Sequence, residues 1–565
     1  MIQKRLNILK KNFYSLGIDG YVVPKNDEFF SEYSQKDRLK IISNFSGSAG
    51  YAVILQNKNF LFVDGRYTLQ AKLESGKHFK IEKLENIMNC NLFKGLTLGI
   101  DPKIFTQEQV NKFFLKHNEI KIINTNLIDE IFSKYTHNKK SFYSLSDNIT
   151  GENYLEKINK ISRILIKENS DYLFISAPEN VAWLLNIRGY DNPNSPIPNC
   201  RLLITKSKKF FLISEKSKVK KLIKEKKINI RQILNPNNLN NVFKKFKKGK
   251  IIIDDKTCSL YFRNIIQNRF RIINKAEPIY LLKSIKNKIE IHNMITSHII
   301  DGVALTKFLY WMKEKNKKNI TEIDAQNKLE KFQKKNKEYL FPSFNTISGA
   351  GANGAIVHYR ASKKSAKIIK KKDIFLCDSG GQYKYGTTDV TRTICFSKPQ
   401  NYIKDIFTKV LKGHIAVVTS NLKSHYNGKL IDKRAREDLN KSGLDYEHGT
   451  GHGVGYFLNV HEGPHAISKF NKVKLREGMI LSNEPGYYKK GKFGIRIENL
   501  IFVRKYKNNL LFENLTLAPI DIDLINFKLL NKKEKNYLFY YHLNVYSKLS
   551  KYLTSNEKKW LSSYF

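Results

Sequence analysis

Cysteine is scarce in this sequence, and long apolar runs are missing from it. The five cysteines show no CxxC spacing and form no even set, which argues against a disulfide framework and favours a reduced cytoplasm: Cys90, Cys200, Cys258, Cys377 and Cys395. No uninterrupted apolar run approaches the roughly 18 residues of a membrane span. The first residues also lack the apolar core and cleavage site of a secretory signal. We therefore expect a cytoplasmic protein with no membrane partner.

Acidic residues are few, since 51 Asp and Glu stand against 100 Lys and Arg and the formal net charge is +49 at pH 7. A charge of this size raises the hypothesis of a nucleic-acid partner. The lysines, however, are spread through nearly every predicted helix and loop, and the densest runs, 244–250 and 363–372, lie between predicted elements. We expect solvated loops and no specific nucleic-acid partner, with only weak, salt-sensitive adsorption to polyanions.

The 565 residues are enough for about three or four domains. Residues 1–135 predict an α/β domain that begins with a helix, whose apolar side carries Ile2, Leu6, Leu9 and Phe13. Residues 136–284 repeat the same order of an apolar strand, a helix and a pair of strands, so we predict a duplicated α/β unit.

A third domain is predicted over residues 285–565. The apolar spacing of residues 278–315 predicts two helices at its entrance. His292 and His298 on these helices are expected at the helix surface and not at a metal.

The polar residues of the third domain gather in short blocks between residues 375 and 498. The block IFLCDSGGQYKYGTTDVTRTICF predicts a strand, a glycine loop and a returning strand, so that Asp378 and Asp389 face each other across a β-ribbon. The block EHGTGHGVG holds His448 and His452 among four glycines, which argues against a helix despite the spacing of the histidines.

Two further blocks place acids on apolar strands. GMILSNEPGYY puts Glu484 at the end of a strand. GIRIENLIFV alternates, so we predict one strand on which Arg496 and Glu498 share a face. Unpaired carboxylates on such strands would be costly.

Together these blocks predict a dinuclear metal site. Each residue taken alone is more often a turn, core or surface residue. In combination, two divalent cations would neutralise the four carboxylates, and a histidine would supply a neutral fifth ligand: Asp378, Asp389, Glu484, Glu498 and His452. Two such ions can hold a hydroxide and polarise a carbonyl group together.

The blocks DSGGQYKYGTTDVTRT, HGTGHGVGYFLNVHEGP, LSNEPGYY and GIRIENL resemble the signature blocks of the pita-bread metallopeptidases, specifically the aminopeptidase P (Xaa-Pro aminopeptidase) branch. The blocks FSGSAG, DGRY and WLLNIRG resemble those of the family's N-terminal domains. The resemblance implies an α/β (α+β) fold: two tandem creatinase-N-like α/β domains, then a pita-bread catalytic domain. The C-terminal extension, from about residue 510, resembles one that contributes to a homodimer contact in longer relatives, so we expect a homodimer.

For the activity, the resemblance implies hydrolysis of the first peptide bond of peptides with proline at the second position, by a hydroxide that bridges two metal ions. We expect Asp378 and Glu498 to bridge the ions, Asp389 to complete one ion, and His452 and Glu484 to complete the other. Glu484 is also the expected general base. The mostly oxygen ligand set favours Mn²⁺ over a thiolate-type zinc site, with Zn²⁺ and Co²⁺ as alternatives.

Other polar residues are expected to act beside the metals. The resemblance implies that His461 binds substrate and stabilises the tetrahedral intermediate, and that His358 and His448 orient the substrate. Arg496 is expected to hold a ligand carboxylate and Tyr488, which is expected to contact substrate.

Three alternative interpretations of the third domain stay open. They are a prolidase that cleaves only Xaa-Pro dipeptides, a methionine aminopeptidase, and a metal-free binding module on the same fold. The two N-terminal domains and the long tail favour aminopeptidase P, and the complete ligand set argues against the binding module.

Overall fold

The structure is a computed structural model that describes residues 2–34, 36–89, 91–132, 138–315 and 319–565. It divides into two compact units, Met1–Ile279 and Tyr280–Phe565. Cys90 and the predicted boundary between the first two domains lie outside the described residues, so the domain boundaries stay predictions. Among the described residues, no helix is long and apolar enough to cross a membrane.

The first unit is built from two six-stranded sheets and a two-stranded one. Its helices are α1 (Ile2–Lys10), α2 (Arg38–Ser43), α3 (Thr68–Ser75), α4 (Gln107–Phe113), α5 (Leu127–Ile131), α6 (Asp147–Thr150), α7 (Tyr154–Lys167), α8 (Pro178–Leu185), α9 (Lys216–Lys224), α10 (Leu239–Lys244) and α11 (Leu260–Gln267). Its strands are β1 (Gly20–Pro24), β2 (Gly50–Leu55), β3 (Asn59–Val63), β4 (Lys80–Lys83), β5 (Thr97–Ile100), β6 (Glu119–Ile122), β7 (Tyr143–Ser144), β8 (Tyr172–Ile175), β9 (Ile187–Arg188), β10 (Arg201–Thr205), β11 (Phe210–Ile213), β12 (Ile233–Leu234), β13 (Lys250–Ile253) and β14 (Arg271–Asn274).

The two large sheets share one topology. Their strand orders are β4-β3-β2-β1-β5-β6 and β12-β11-β10-β8-β13-β14. In the first sheet, β1 pairs antiparallel with β2 and parallel with β5. In the second sheet, β8 likewise pairs antiparallel with β10 and parallel with β13. The predicted duplication is therefore visible in the strand order. The predicted first helix is also present, since Ile2, Leu6, Leu9 and Phe13 are buried in the core.

The second unit contains smaller sheets surrounded by longer helices. The helices are α12 (Ile279–Ser284), α13 (Lys288–Lys315), α14 (Glu322–Gln333), α15 (Asn401–Val418), α16 (Gly428–Asn440), α17 (Lys532–Leu549) and α18 (Ser555–Ser562). The strands are β15 (Tyr339–Pro342), β16 (Ile347–Ala350), β17 (Ile374–Ser379), β18 (Gly381–Tyr383), β19 (Gly386–Thr387), β20 (Val390–Cys395), β21 (Gly451–Gly453), β22 (Glu462–Ile467), β23 (Ile480–Asn483), β24 (Gly486–Lys489), β25 (Phe493–Arg496), β26 (Asn499–Tyr506) and β27 (Asn509–Asn514). They form the sheets β15-β18-β19, β16-β17-β20, β22-β21-β23-β26-β27 and β24-β25.

Two predictions about this unit need correction. The stretch GIRIENLIFV is two strands and not one, because β25 pairs with β24 whereas β26 pairs with β23 and β27. Glu498 lies in the connection between them. His298 is also not at the helix surface but 2% exposed, whereas His292 is exposed as predicted. The 28-residue α13 has buried residues along more than one side, so spacing alone does not show which side faces water.

Candidate metal centre

Three of the predicted ligands form a compact group of donors. Asp389, His452 and Glu498 offer ligand atoms that all lie within 4.8 Å of one another. The Nε2 atom of His452 is 3.4 Å from Oδ2 of Asp389 and 3.5 Å from Oε1 of Glu484. The acids that the sequence placed in separate blocks therefore meet around one imidazole.

Asp378 is close enough to Asp389 and Glu484 for their charges to act on its pKa, and it pairs with Arg496. Nη2 of Arg496 donates to Oδ2 of Asp378 at 2.6 Å. The other oxygen, Oδ1, is buried and has no hydrogen-bond partner in the described structure. A buried carboxylate oxygen without a donor is costly, and a cation is the simplest group to remove that cost.

The strands fix where these carboxylates lie. On the ribbon of β17 and β20, Asp378 is paired with Thr391. The Thr391 hydroxyl donates to Oε2 of Glu498 at 2.6 Å and accepts from Nε of Arg496 at 3.0 Å. One hydroxyl thus links the ribbon to the connection that carries Glu498. The predicted ribbon is present, and Asp389 directly precedes its returning strand.

The imidazole of His452 has a defined orientation. Nδ1 lies 2.9 Å from the carbonyl of Gly453 and donates to it, so Nε2 is the ring nitrogen that faces the carboxylates and that can bind a metal ion once it loses its proton. The Ser482 hydroxyl accepts a hydrogen bond from the His452 amide and donates one to Glu484 at 3.1 Å. It therefore links the backbone of β21 to the Glu484 carboxylate. Neither predicted histidine of this block lies in a helix.

The electrostatics of the cluster show an excess of negative charge. Burial raises the pKa of Asp378 to about 7, although Arg496 opposes the rise. Burial, with the neighbouring acids, also raises the pKa of Glu484 and Glu498. Burial alone would lower the pKa of His452, but the carboxylates outweigh it and raise the pKa to about 9. A set of oxygen donors and one nitrogen donor in which Asp378, Glu484, Glu498 and His452 have raised pKa values fits a site for divalent cations.

The other predicted residues surround this cluster. The Tyr488 hydroxyl accepts from Nη1 of Arg496 at 2.7 Å and lies 2.8 Å from Nε2 of His448. The ring of His461 lies 4.2 Å from that of His452. The geometry thus brings three of the predicted substrate residues, with Arg496, to the metal ligands.

His358 lies in the loop that follows β16, and its role at the metal centre stays a prediction. The loop includes the 3₁₀ turn Gly351–Ala355, where a Cβ atom on Gly494 of β25 would lie 1.8 Å from the carbonyl oxygen of Gly354. Only glycine permits this approach of the two backbones. Tyr359, next to His358, packs in one apolar cluster with Tyr488.

The sequence did not indicate several residues that support the site. Beside the centre, His298 and Asp301 are buried on α13, and the Asp301 carboxylate accepts from the Tyr383 hydroxyl at 2.6 Å. Asp389 is close enough to His298 to act on its pKa, which burial nevertheless lowers to about 4. In the sequence, this pair shows only as a spacing of three residues between His298 and Asp301, which places the two side chains on one side of a helix.

A second group of possible ligands does not make a metal site. Cys395, Asp521 and Asp523 lie close together, but Nζ of Lys313 is 2.7 Å from Oδ2 of Asp521 and 3.0 Å from Oδ2 of Asp523. The ammonium group already supplies the cation there.

Comparison with protein families agrees with this fold and site. Residues 292–505 match metallopeptidase family M24, residues 508–564 match the C-terminal region of that peptidase family, and residues 133–290 match the creatinase/prolidase N-terminal domain. The fold and the donor set are those of a metallopeptidase with a creatinase-type N-terminal part.

Individual proteins are similar over the whole chain. Xaa-Pro aminopeptidase 1 of Dictyostelium discoideum is 36% identical, with 100% of this chain and 96% of that protein covered. A probable Xaa-Pro aminopeptidase P of Laccaria bicolor is 35% identical over 99% of this chain and 92% of its own. A solved structure, described as X-prolyl aminopeptidase from Caenorhabditis elegans, a cytosolic enzyme with a di-nuclear active site, has a TM-score of 0.91 at 29% identity and covers 100% and 99% of the two chains. The chain belongs to metallopeptidase family M24 and, within it, to the Xaa-Pro aminopeptidases.

Proposed function

We propose that this protein hydrolyses the N-terminal Xaa-Pro bond of peptides with two divalent metal ions. The observation that carries the proposal is the gathering of the predicted ligands: Nε2 of His452 lies 3.4 Å from Asp389 and 3.5 Å from Glu484, and Glu498 offers a ligand atom within 4.8 Å of those of Asp389 and His452. The fourth acid, Asp378, is buried and pairs with Arg496. The names of the similar full-length proteins support the choice of substrate.

The proposed ligand roles are those that the resemblance to aminopeptidase P implies. Five residues would hold the two ions: Asp378 and Glu498 would serve both, Asp389 would complete one, and His452 with Glu484 would complete the other. When bound, the two ions supply a nucleophile by lowering the pKa of water, and they polarise the scissile carbonyl group. The predominance of oxygen donors favours Mn²⁺, with Zn²⁺ and Co²⁺ as alternatives.

The side chains around the ions handle protons and charge. Glu484 takes the proton of the nucleophilic water and passes it to the proline nitrogen of the leaving peptide. His461, beside His452, donates to the oxygen that becomes negative in the tetrahedral intermediate.

Substrate orientation falls to the residues that border this cluster. His358, His448 and Tyr488 hold the substrate, and Arg496 fixes Tyr488 and Asp378. An Xaa-Pro amide has no N–H group, so the site needs apolar space at that nitrogen and no acceptor. Ile356 and Tyr488, which pack in one apolar cluster, can supply such a surface.

A substrate comparison tests the proposal. The purified protein, stripped with a chelator and reloaded with Mn²⁺, is expected to release arginine from Arg-Pro-Pro and to leave Gly-Pro largely intact. Cleavage of Gly-Pro alone would indicate a prolidase, and no cleavage of either peptide would contradict a peptidase function. Mass spectrometry of bound metals on the same samples, with an expected two ions per chain, checks the site independently of turnover.

We also propose a homodimer formed through the C-terminal extension. Helix α17 exposes Phe539, Tyr540 and Leu543 to solvent, and the Phe539 ring contacts that of Phe565. Clustered exposed aromatic residues mark interaction surfaces more often than free surface. Light scattering is expected to give twice the chain mass of 65.8 kDa and to fall to one chain for Tyr540→Asp. A monomeric wild-type protein would contradict the proposal.

A cytoplasmic location completes the proposed function. Its support is the cytosolic description of the similar nematode enzyme and the four described cysteines, which are all buried and free. Cell fractionation with antibody detection tests it, and recovery in a secreted or organellar fraction would overturn it.

A further inference from the structure

A cavity of about 630 Å³ lies within the first unit, among residues that have no part in the metal centre. Its wall includes residues 27–29, Ser34 and Lys36, the start of β10 and the start of α9. Cavities that bind small molecules have volumes of about 300–1,000 Å³. Hydroxyl groups also line this one, from Ser34, Ser141, Ser214 and Ser217.

Arg201, at the start of β10, is the buried cation of this wall. Its side chain belongs to a residue that is only 5% exposed, and its guanidinium is stacked between two aromatic rings. The guanidinium carbon lies 4.3 Å from the ring centre of Phe29 and 4.0 Å from that of Phe262. The stacking fixes the plane of the guanidinium and leaves its N–H edge for hydrogen bonds.

The N–H edge of the Arg201 guanidinium has few hydrogen-bond partners among the described residues. Nη2 donates to the carbonyl of Glu28, and among the described residues no carboxylate lies within 4.0 Å of the guanidinium nitrogens. Burial lowers the pKa of Arg201 to about 10, as expected for a cation without a close counter-ion. An unpaired buried charge is costly, and proteins usually pair it or bind an ion to it.

The acids of the cavity wall are already engaged. Glu28 accepts from Arg38 at 2.6 Å, Asp191 pairs with Lys218, and Asp27 accepts from two backbone amides at 2.9 Å. Among the described residues of this wall, the exposed Glu215 and the buried Asp27 have no cation partner.

Further unpaired cations lie on the same wall. Lys139 and Lys220 have no carboxylate within ion-pair distance among the described residues. Together with the buried guanidinium they leave the cavity with more free positive than negative charge.

We propose that this cavity binds a small organic anion whose carboxylate or phosphate group pairs with Arg201. A planar guanidinium forms two parallel bonds with either group, and the serine hydroxyls can bind its remaining oxygens. The bound anion would supply the counter-ion that the fold does not. The residues of the cavity are not among the proposed metal ligands or substrate residues.

Calorimetry on the full-length, metal-loaded protein tests the proposal, with citrate and inorganic phosphate as probes at constant ionic strength. We expect one anion per chain for the wild type and an affinity weakened by about 10- to 100-fold in Arg201→Met. Citrate binding alone indicates a carboxylate ligand, and phosphate binding alone indicates a phosphorylated one. Binding of neither probe at millimolar concentration overturns the proposal.

Two matched variants separate this site from general adsorption to a basic surface. Arg231→Met removes an exposed arginine of the same unit and is expected to bind like the wild type. Arg201→Lys keeps the charge but loses the planar fork, so it is expected to bind more weakly than the wild type and provides the test if Arg201→Met fails to fold. Unchanged binding in both Arg201 variants would overturn the proposal. Hydrolysis of Arg-Pro-Pro is expected to be the same in all of them.

Discussion

Two buried carboxylate sites of the second unit differ in what satisfies their charge. Glu322, at the start of α14, is fully buried and accepts from the backbone amides of Ala350 and Lys367 at 2.7 and 2.9 Å. The amide group of Asn353 donates to both of its oxygens at 3.0 Å. At the metal centre, four acids share one guanidinium, and Oδ1 of Asp378 has no donor.

The difference separates a structural acid from a functional one. Neutral N–H groups can stabilise a single buried carboxylate, because each hydrogen bond to a charged acceptor contributes about 1.5–3 kcal/mol. Facing carboxylates repel one another, and hydrogen bonds do not remove that repulsion. The metal centre is therefore the place where the folded chain depends on ions from outside, and four experiments can break or sharpen this contrast.

The largest effect is expected from Asp389→Asn. The amide keeps the shape of the carboxylate but removes one negative charge next to His452. Hydrolysis of Arg-Pro-Pro should fall by more than about 100-fold, the upper range for residues that only support a ligand. Kinetics and metal analysis measure the change, and circular dichroism should show an intact fold.

Asp438→Asn is the matched control for this variant. Asp438 lies on α16, is partly exposed and pairs with Lys412 at 3.3 Å. It should keep full activity and two metal ions. Wild-type activity in Asp389→Asn would contradict the ligand assignment.

The contrast also explains which residues could be predicted from the sequence. Each metal ligand carries a local signal, an acid beside an apolar strand or a histidine among glycines. The duplicated sheets could be predicted for a similar reason, since inner strands such as β1, β2 and β10 are short apolar runs. Glu322 has no such signal, because an acid in the first turn of a helix is ordinary in any protein.

The unpredicted residues depend on partners far away in the chain. Glu322 and Asn353 are 31 positions apart, and Thr391 and Glu498 are 107 apart. The break between β25 and β26 escaped prediction for the same reason, because the two halves of one alternating run pair with strands of different sheets. These features depend on pairing between distant segments of the chain, which the residue pattern of a single segment does not show.

Metal removal should give the second largest effect. A ligand that binds only the folded state stabilises it by about 2.7 kcal/mol when its free concentration is 100 times its dissociation constant. Chelation should therefore lower the thermal midpoint, and Mn²⁺ should restore it in the wild type. Asp389→Asn should respond less. Equal midpoints with and without metal would show that the chain itself satisfies the four acids.

Glu322→Gln is expected to have a smaller effect. In the variant, the side-chain amide nitrogen would face one of the N–H groups from which the carboxylate now accepts a hydrogen bond. A buried donor would then be unpaired, at a cost of about 1–3 kcal/mol. Urea unfolding of the metal-loaded protein measures this loss. Metal content should stay at two ions per chain, because Glu322 is not among the proposed ligands. Loss of metal with unchanged stability would show that Glu322 supports the metal centre and not the stability of the fold.

The smallest effect is expected from Glu330→Gln on the same helix. Glu330 pairs with Lys334 at 2.7 Å, but the two side chains are 32% and 62% exposed. Water and dissolved salt screen such a pair, and i,i+4 pairs of this kind contribute about 0.3–0.5 kcal/mol. The same urea experiment should thus give a shift well below that of Glu322→Gln, and it should shrink further at high salt. A loss as large as that of Glu322→Gln would mean that burial does not determine what a carboxylate contributes on this helix.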